Sequence, residues 1–380
     1  MNSKFLIFVL IILSIYFLVN VYLFVRGWQA LSSTPSLKPF YCIAFVICCL
    51  SFIAMMFGEG NFPDGITAII YPIGATWLAA MLYFTMCIVF FDILRTINHF
   101  IPIFPAVFVA NYAKTKLIVL SLSIVVVAIT LIIGYYRFTH PVVINLDLNV
   151  EKKAGKRKEL HIVMASDIHL GHMIKEKRLK KYVEQINSLN PDIVLLAGDI
   201  IDRDLNFIIK NDICAEFKNL NAPLGIYAIL GNHEYISRHI DDAVDYMQKS
   251  GINVLRDSVA LIDSSFYVIG RDDHSNPHRN QLSTYTSTID KSLPVIMLDH
   301  QPYHLEDAEN ENIDLQLSGH THNGQLFPLN FVTKNMYEVS YGYKAKGKTN
   351  IYVSSGLGLW GPPFRIGTKS EIVSITLKFQ

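Results

Sequence analysis

Four long apolar runs in the first 136 residues limit how this part of the chain can fold, because apolar runs of this length are typical of helices that cross a lipid bilayer. They occupy residues 5–25, 40–57, 67–93 and 117–136. The first run lacks a small-x-small cleavage site and is followed by further runs, which favours a membrane anchor over a signal peptide. A shorter run at 101–110 contains two prolines and is expected to be interfacial or re-entrant. Residues 1–137 are therefore predicted to form a multi-pass transmembrane helical domain.

The basic residues in the short loops predict how these spans are oriented. The first and third loops carry Lys or Arg and the second carries neither; the residues are Arg26, Lys38, Arg95, Lys114 and Lys116. The positive-inside rule assigns the first and third loops to the cytoplasm. With four spans, both termini then lie outside, so the domain that follows is expected to be extracytoplasmic. A basic cluster at 152–158 argues for the opposite orientation, although it is distant from the last span.

Composition excludes some partners and some metal sites. The formal net charge is +1, and the second half shows no basic stripe with interleaved aromatic residues, so no nucleic acid partner is expected. Cys214 is the single cysteine after residue 137. This half can therefore form no internal disulfide, and the sequence suggests no thiolate metal site.

The rest of the chain first alternates strands with helices and then presents short strands in quick succession. Strands are predicted near 160–165, 192–197 and 225–230, and helices near 176–189, 206–220 and 241–249. This order predicts an α/β sandwich of two mixed β-sheets flanked by helices over residues 159–380. A polar, basic linker is predicted over 138–158. Residues 323–348, rich in Gly, Asn, Tyr and Lys, are expected to form a loop or hairpin beside the site that helps to select substrate.

Side chains able to bind metal follow five of the predicted strands. They are Asp167 and His169; Asp199 and Asp202; Asn232 and His233; His300; and His320 and His322. Each group alone is more often a solvated turn or a hydrogen-bonded loop, but five such groups at strand ends are hard to attribute to chance. Imidazole and carboxylate ligands without thiolate suit Mn, Fe or Zn. The sequence therefore predicts a metal centre, and we expect Asp199 to bridge two divalent ions.

The same residues form an ordered set of motifs. The set is Asp167-x-His169, Gly198-Asp199-x-x-Asp202, Gly231-Asn232-His233-Glu234, His300 and Gly319-His320-x-His322. It resembles the calcineurin-like metallophosphoesterase superfamily over about residues 160–380. The ending, from Ser354 through Pro362 and Arg365 to Glu371, also looks like the membrane-associated bacterial branch of that superfamily.

The resemblance implies a role for each matched residue. Asp167, His169 and His322 would hold the first metal. Asn232, His300 and His320 would hold the second, with Asp199 shared between them. His233 would be the catalytic residue that stabilises or protonates the leaving oxygen, and Asp202 and Glu234 would orient the ligands.

Three further residues are weaker candidates for contact with the substrate. Arg271 and His274 follow a predicted strand and could approach a phosphate, although a solvated turn explains them equally well. Arg365 is a similar candidate.

These features together predict a membrane-anchored phosphoesterase with two divalent metals. It would hydrolyse a phosphomonoester, phosphodiester or pyrophosphate by means of a metal-bridging hydroxide. About thirty residues separate the last span from Asp167, which makes a lipid or lipid-linked substrate attractive. The alternative is a non-catalytic membrane sensor or scaffold that binds a phosphorylated ligand at the metal site, and the intact His233 argues against it.

Overall fold

The computed structural model describes residues 3–58, 62–237 and 239–380. The chain divides into two compact units, Met1–Gly134 and Tyr135–Gln380. The first unit is helical and the second contains both β-sheets, so the predicted fold class is confirmed.

The first unit consists of apolar helices. They are α1 (Ser3–Ala30), α2 (Lys38–Gly58), α3 (Asp64–Phe100), α4 (Ala106–Ala110) and α5 (Tyr112–Thr139), of which α5 ends inside the second unit. All but α4 are long and apolar enough to cross a membrane. The short helix α4 lies within the proline-containing run that was predicted not to span. A membrane protein is therefore confirmed, whereas the side of the membrane on which the second unit lies stays a prediction.

Buried polar contacts join the first three helices. The Asn20 side chain in α1 accepts hydrogen bonds from Trp77 Nε1 in α3 at 3.0 Å and from Cys49 Sγ in α2 at 2.9 Å. A Cβ added at Gly74 would lie 2.6 Å from the Ser51 carbonyl oxygen, so glycine lets α3 approach α2 closely. Small residues and satisfied polar side chains are what apolar helices use to pack in a bilayer.

The second unit contains strands β1 to β12 and helices α6 to α12. The strands are β1 (Val142–Val150), β2 (Glu159–Ala165), β3 (Ile193–Ala197), β4 (Ile226–Ile229), β5 (Asn253–Val254), β6 (Ser258–Ile262), β7 (Phe266–Gly270), β8 (Val295–Leu298), β9 (Leu315–Ser318), β10 (Gly342–Lys346), β11 (Thr349–Val353) and β12 (Glu371–Phe379). The helices are α6 (Glu176–Asn187), α7 (Leu205–Lys210), α8 (Asn232–Ile236), α9 (Ile240–Lys249), α10 (Ser283–Thr286), α11 (Leu305–Asn310) and α12 (Asn330–Met336). Short 3₁₀ turns occupy Leu31–Ser33, Pro35–Leu37, Ile213–Asn219 and His322–Gly324.

These strands form two six-stranded mixed sheets. The first has the order β1-β12-β2-β3-β4-β5 and the second β10-β11-β9-β8-β7-β6. Strands β2 to β5 are parallel to one another, as are β7, β8, β9 and β11. Strands β12, β10 and β6 pair antiparallel with β2, β11 and β7.

Strand β3 is covered on one face by the second sheet and on the other by helices. Ile193, Leu195 and Ala197 face the core between the two sheets. Val194 and Leu196 face the core under the helices. Because side chains alternate across a strand, a strand with both faces buried must be apolar at every position.

Two predicted boundaries differ in the structure. Residues 142–150, predicted as linker, form β1, which pairs in parallel with β12 from Val142 opposite Glu371 to Val150 opposite Phe379. Its polar residues alternate with apolar ones because it is an edge strand with one face exposed to solvent. The helix predicted over 206–220 is divided into α7 and a 3₁₀ turn, since Asp212 adopts a left-handed conformation with φ 46°.

The two faces of β1 give a direct test of this correction. Leu148→Asp places a charge in the core between the sheets, where it has no partner, and should cost at least about 2 kcal/mol. The unfolding temperature of the detergent-solubilised chain should fall by roughly 5 °C or more. Asn149→Asp makes the same change on the exposed face and should have almost no effect. Equal tolerance of both substitutions would mean that these residues are a linker after all.

Candidate metal centre

The predicted ligands all lie where parallel strands end. Loops after β2, β3 and β4 carry the first three groups, and these strands are neighbours in the first sheet. Loops after β8 and β9, which are neighbours in the second sheet, carry His300, His320 and His322. The carboxyl edges of the two sheets therefore meet at one place, which is where open α/β sheets bind ligands.

Sharp turns at the strand ends aim these side chains inward. Five of the seven predicted ligands have a left-handed backbone, with φ of 52° at Asp167, 51° at His169, 51° at Asp199, 72° at His320 and 48° at His322. A non-glycine residue in this conformation costs about 1–2 kcal/mol. Strain of this kind concentrates at functional sites, where the surrounding fold holds it in place.

Asp199 lies at the centre of the cluster. Its Oδ2 atom is 3.2 Å from His300 Nε2 and 3.7 Å from His169 Nε2, so the second and first sheets both reach it. Its Oδ1 atom accepts the His233 backbone N–H at 2.9 Å. A Cβ added at Gly231 would lie 2.2 Å from that oxygen, so the loop after β4 can approach only with glycine there.

Three overlapping groups of side chains each bring their ligand atoms within 4.8 Å of one another. The groups are Asp167, His169 and His322; His169, Asp199 and His233; and Asp199, His300 and His320. Asn232 joins the third group, since its Oδ1 is 2.8 Å from His320 Nδ1. The structure therefore brings together all seven predicted ligands and the predicted catalytic His233.

The donor set fits divalent metal ions. Within the part of the chain that the structure describes, the buried His169 Nδ1 has no hydrogen-bond partner. The buried His300 Nε2 faces the Asp199 carboxylate oxygen at 3.2 Å. The 3.1 Å approach of His169 Nε2 to His322 Nε2 sets two imidazole nitrogens against each other. Buried polar atoms without partners are costly, and a shared cation would satisfy several of them at once.

Three of the ligands, His169, His320 and Asp199, are deprotonated at neutral pH and can bind metal in that state. Burial lowers the pKa of His169 to about 3 and that of His320 to about 4, so both rings stay neutral. Burial alone would raise the pKa of Asp199, but His300, His233 and His169 outweigh burial and hold that pKa well below its usual value. Against the effect of burial, Asp199 in turn raises the pKa of His300, so a metal ion bound there would displace the proton of His300. Neutral imidazole and ionised carboxylate are the forms that bind metal.

Hydrogen bonds behind the cluster fix which ligand atoms face inward. His300 Nδ1 donates to the Ala197 carbonyl at 2.8 Å, which leaves Nε2 to point at Asp199. The His320 backbone N–H donates to the Asp167 carboxylate at 2.9 and 3.1 Å. His300 is therefore held by a ring nitrogen that does not face the centre, and His320 is held by its backbone.

His233 is held by the Asp202 carboxylate. Its Nδ1 is 2.8 Å from Asp202 Oδ1. Burial opposes protonation of His233, but this hydrogen bond and the nearby Asp199 charge raise its pKa. The other ring nitrogen is therefore the one that can carry a proton toward the cluster.

Glu234 has a different task from Asp202. Its buried carboxylate accepts the backbone N–H groups of Ile200, Ile201 and Gly231 at 2.7–2.8 Å. Burial, reinforced by Asp199, raises its pKa to about 7. Glu234 thus ties the loop that carries Asp199 to the loop that carries Asn232.

Comparison with known proteins adds independent evidence on the family. A family model described as calcineurin-like phosphoesterase matches residues 160–324. An uncharacterized metallophosphoesterase of Campylobacter jejuni is 31% identical over 390 residues, covering 98% of this chain and 99% of that protein. The chain belongs to the calcineurin-like metallophosphoesterases.

Other relatives of this metallophosphoesterase carry similar descriptions. An uncharacterized metallophosphoesterase of Aquifex aeolicus is 34% identical over 247 residues, which cover 61% of this chain and 92% of that protein. A transmembrane protein with metallophosphoesterase domain from Danio rerio is 30% identical over 273 residues, which are 68% of this chain and 62% of that protein. The predicted family is confirmed, and the chain is a metal-dependent phosphoester hydrolase.

Arg365, predicted as a possible substrate contact, lies behind His322. The side chain is fully buried. It donates to the His322 carbonyl at 3.1 Å and to the Gly358 carbonyl at 2.5 Å, and it lies 3.3 Å from His322 Nδ1. Its guanidinium is therefore occupied in holding His322 from behind.

Arg271 and His274 stay predictions as substrate contacts. Arg271 Nη2 donates to the Asn280 carbonyl at 2.8 Å, and its guanidinium faces Asp257, so it fastens its own loop. Both residues line a polar cavity of about 560 Å³ together with Arg279.

Two aromatic side chains beside the metal ligands were not predicted from the sequence. The Trp360 ring lies 6.2 Å from the His233 ring, and the Tyr337 ring lies 6.1 Å from the His320 ring, measured between centroids. Trp360 stands between Gly358 and Gly361-Pro362, and a large aromatic residue in such a turn-forming stretch is the signal that could have marked it.

The protonation of Asp167 makes metal loading depend on pH. Burial raises its pKa to about 6, with Asp199 adding to the shift and His300 opposing it. Below that pH the carboxyl is protonated and is no longer a good ligand. At subsaturating Mn²⁺, the metal content of the purified protein should fall as pH drops from about 7 to about 5.

Protonation of the histidine ligands would give a different pH midpoint for the loss of metal. If His169 or His320 controlled the loss, it would occur near pH 3–4, where their rings take up protons. Circular dichroism at each pH serves as the control that the fold is intact. Metal content that stays constant down to pH 4 would contradict the assignment of Asp167 as a ligand.

Proposed function

We propose that this protein is a membrane-anchored two-metal phosphoesterase that hydrolyses a phosphomonoester, phosphodiester or pyrophosphate. The observation that carries the proposal is the position of Asp199, whose Oδ2 faces His169 on one side and His300 on the other. A single carboxylate between two sets of imidazoles is what a paired-metal site requires. A binding-only scaffold would need no such arrangement around a protonatable His233.

The ligands divide into two sets around Asp199. Asp167, His169 and His322 would hold one ion, and Asn232, His300 and His320 the other. Mn, Fe and Zn all suit this mixture of imidazole, carboxylate and amide donors. Two such cations would supply an activated water and neutralise charge on the phosphoryl oxygens.

His233 is proposed to deliver a proton to the leaving oxygen. Its Nδ1 is held by Asp202, so the opposite nitrogen faces the metal ligands, with the His169 ring centroid 4.5 Å from its own. The raised pKa of His233 keeps the ring protonated to higher pH than an ordinary histidine. This combination of geometry and pKa suits a general acid.

The substrate is proposed to be a lipid or lipid-linked phosphoester on the extracytoplasmic side. Helix α5 ends at Thr139 and strand β1 begins at Val142, so the hydrolytic unit starts within two residues of a membrane-crossing helix. This short connection ties the hydrolytic unit to the membrane, which favours a phosphoester carried by a membrane amphiphile as the substrate.

The two-metal assignment is tested by removing the shared ligand. Purified protein should hydrolyse bis-p-nitrophenyl phosphate with Mn²⁺ and lose that activity in chelator. Asp199→Asn should lower the rate at least about 10²-fold, because the substitution removes the shared charge. Asp204→Asn is a matched control, since Asp204 lies on the same loop and pairs with His172. Unchanged activity in Asp199→Asn, or equal rates with Mn²⁺ and chelator, would refute the proposal.

The role of His233 is tested by varying the leaving group. His233→Asn should slow hydrolysis of an alkyl phosphoester about 10²-fold or more, because an alkoxide needs a proton to depart. Hydrolysis of a p-nitrophenyl ester should slow by less than about tenfold, since that leaving group departs as a stable anion. His239→Asn alters an exposed histidine and should affect neither rate. An equal loss on both substrates would assign His233 to metal binding instead.

A further inference from the structure

An exposed apolar cluster lies between the metal centre and strand β10. Its members are Phe327, Leu329, Phe331, Val332 and Met336, whose side chains are 39–60% exposed. We call these residues the 327–336 cluster. Three of them belong to α12, a helix in which no residue is buried. The apolar side chains of this helix are each more than half exposed, so they contribute little of the packing that normally stabilises short helices.

The density of this cluster is unusual for the unit. Outside the cluster, the described residues 140–380 expose six large apolar side chains, and no stretch of ten residues contains more than two of them. They are Ile209, Ile236, Leu261, Tyr341, Tyr343 and Trp360. Single exposed apolar residues are ordinary on protein surfaces. Contiguous exposed apolar residues instead mark surfaces that contact a partner or a membrane.

Hydrogen bonds attach the 327–336 cluster to the rim of the metal centre. Gln325 Nε2 donates to the carbonyls of Trp360 and Pro362 at 2.8 and 2.9 Å, and Gln325 Oε1 accepts the Trp360 backbone N–H at 3.0 Å. The Phe327 N–H donates to the Ile366 carbonyl at 2.7 Å. Because Trp360 lies beside His233, whatever contacts the cluster is brought close to the proposed general acid.

The first residues of the second unit indicate which partner contacts the 327–336 cluster. Tyr135 and Tyr136 are exposed aromatic residues in the last turns of α5, as is typical where a helix leaves a bilayer. The next aromatic residue, Phe138, is instead buried in the core of the unit, and Arg178 donates to the Thr139 carbonyl at 3.1 Å. The unit therefore holds, through its own packing, the chain segment that crosses the lipid headgroups.

The charge around the cluster favours the same partner. Residues 326–336 contain no Asp or Glu and one basic residue, the exposed Lys334. Aromatic and aliphatic side chains beside a lysine are the composition of segments that lie in an anionic membrane interface.

We propose that the 327–336 cluster docks into the lipid leaflet next to the metal centre, and that the centre acts on a phosphoester of a lipid in that leaflet. The docking of the cluster does not depend on the proposed function, whereas the lipid substrate rests on it. In this arrangement the acyl chains of the substrate remain in the bilayer while its phosphoester reaches the ligands beside Trp360.

Docking is tested with a fluorescent label on the full chain. Val332→Cys is labelled with a nitrobenzoxadiazole dye and reconstituted in vesicles of phosphatidylcholine and phosphatidylglycerol. Leu261→Cys, exposed outside the cluster, is the matched control, and the labelled unsubstituted chain gives the background from native cysteines. We expect phosphatidylcholine spin-labelled on its acyl chain to quench the dye at 332 severalfold more than at 261, and iodide to show the reverse.

The other outcomes overturn docking. A dye at 332 that iodide quenches and the spin-labelled lipid does not is in water. A dye at 332 that is protected from both quenchers is covered by protein, either a second copy of this chain or another partner.

The proposal of a lipid substrate is tested with two substrates that share one leaving group. The rate on a phosphatidyl-p-nitrophenol in vesicles is divided by the rate on bis-p-nitrophenyl phosphate. Replacing Phe331, Val332 and Met336 together by Ser should lower this ratio about tenfold, because the lipid loses its high local concentration at the centre. Leu261→Ser should leave the ratio unchanged.

The outcomes separate the two proposals. An unchanged ratio in the triple variant, or a wild-type protein that hydrolyses only the soluble ester, overturns the lipid substrate. A wild-type protein that hydrolyses neither ester refutes the proposed function, and the fluorescence measurement still decides docking.

Discussion

The Asp199 carboxylate joins the two sheets at the metal centre. It is buried where the carboxyl edges of the two sheets meet, 3.7 Å from His169 of the first sheet and 3.2 Å from His300 of the second. An ionised carboxylate is costly to bury unless cations or hydrogen-bond donors surround it. The backbone N–H of His233 and the facing imidazoles meet part of that need. Bound cations would meet the remainder and would stabilise the fold through the same atoms.

The metal centre contains strained backbone and buried polar groups, and the surrounding fold must stabilise both. The left-handed backbone at Asp167, His169 and Asp199 follows strand β3, which is buried throughout, and strand β2, whose last four residues are buried. These anchored strands hold the strained residues in place. Glu234 and Arg365 then hold the loops from behind, one by accepting backbone N–H groups and the other by donating to carbonyls. Both side chains are buried, and each joins a segment that carries predicted ligands to a neighbouring segment. These contacts make the region behind the predicted ligands rigid.

The sequence is informative wherever burial imposes a pattern, and less so elsewhere. The apolar run before Asp199 predicts strand β3 because both of its faces are covered, and metal-binding residues after five strands predict where the ligands gather. Strand β1 is missed because its exposed face is polar, which resembles a linker when its partner strand is unknown. The roles of Arg365 and Trp360 depend on contacts between segments distant in sequence, which no local pattern encodes. The left-handed turns are similarly invisible, since Asp and His adopt them only under constraint from the surrounding fold.

The proposed function requires the Asp199 carboxylate to hold two cations side by side. Anomalous diffraction at the manganese edge, from crystals of the full chain grown with Mn²⁺, measures where the cations bind. We expect two peaks about 3.5–4 Å apart, one on each side of the Asp199 carboxylate. A single peak, or peaks that Asp199 does not contact, would contradict the proposed function.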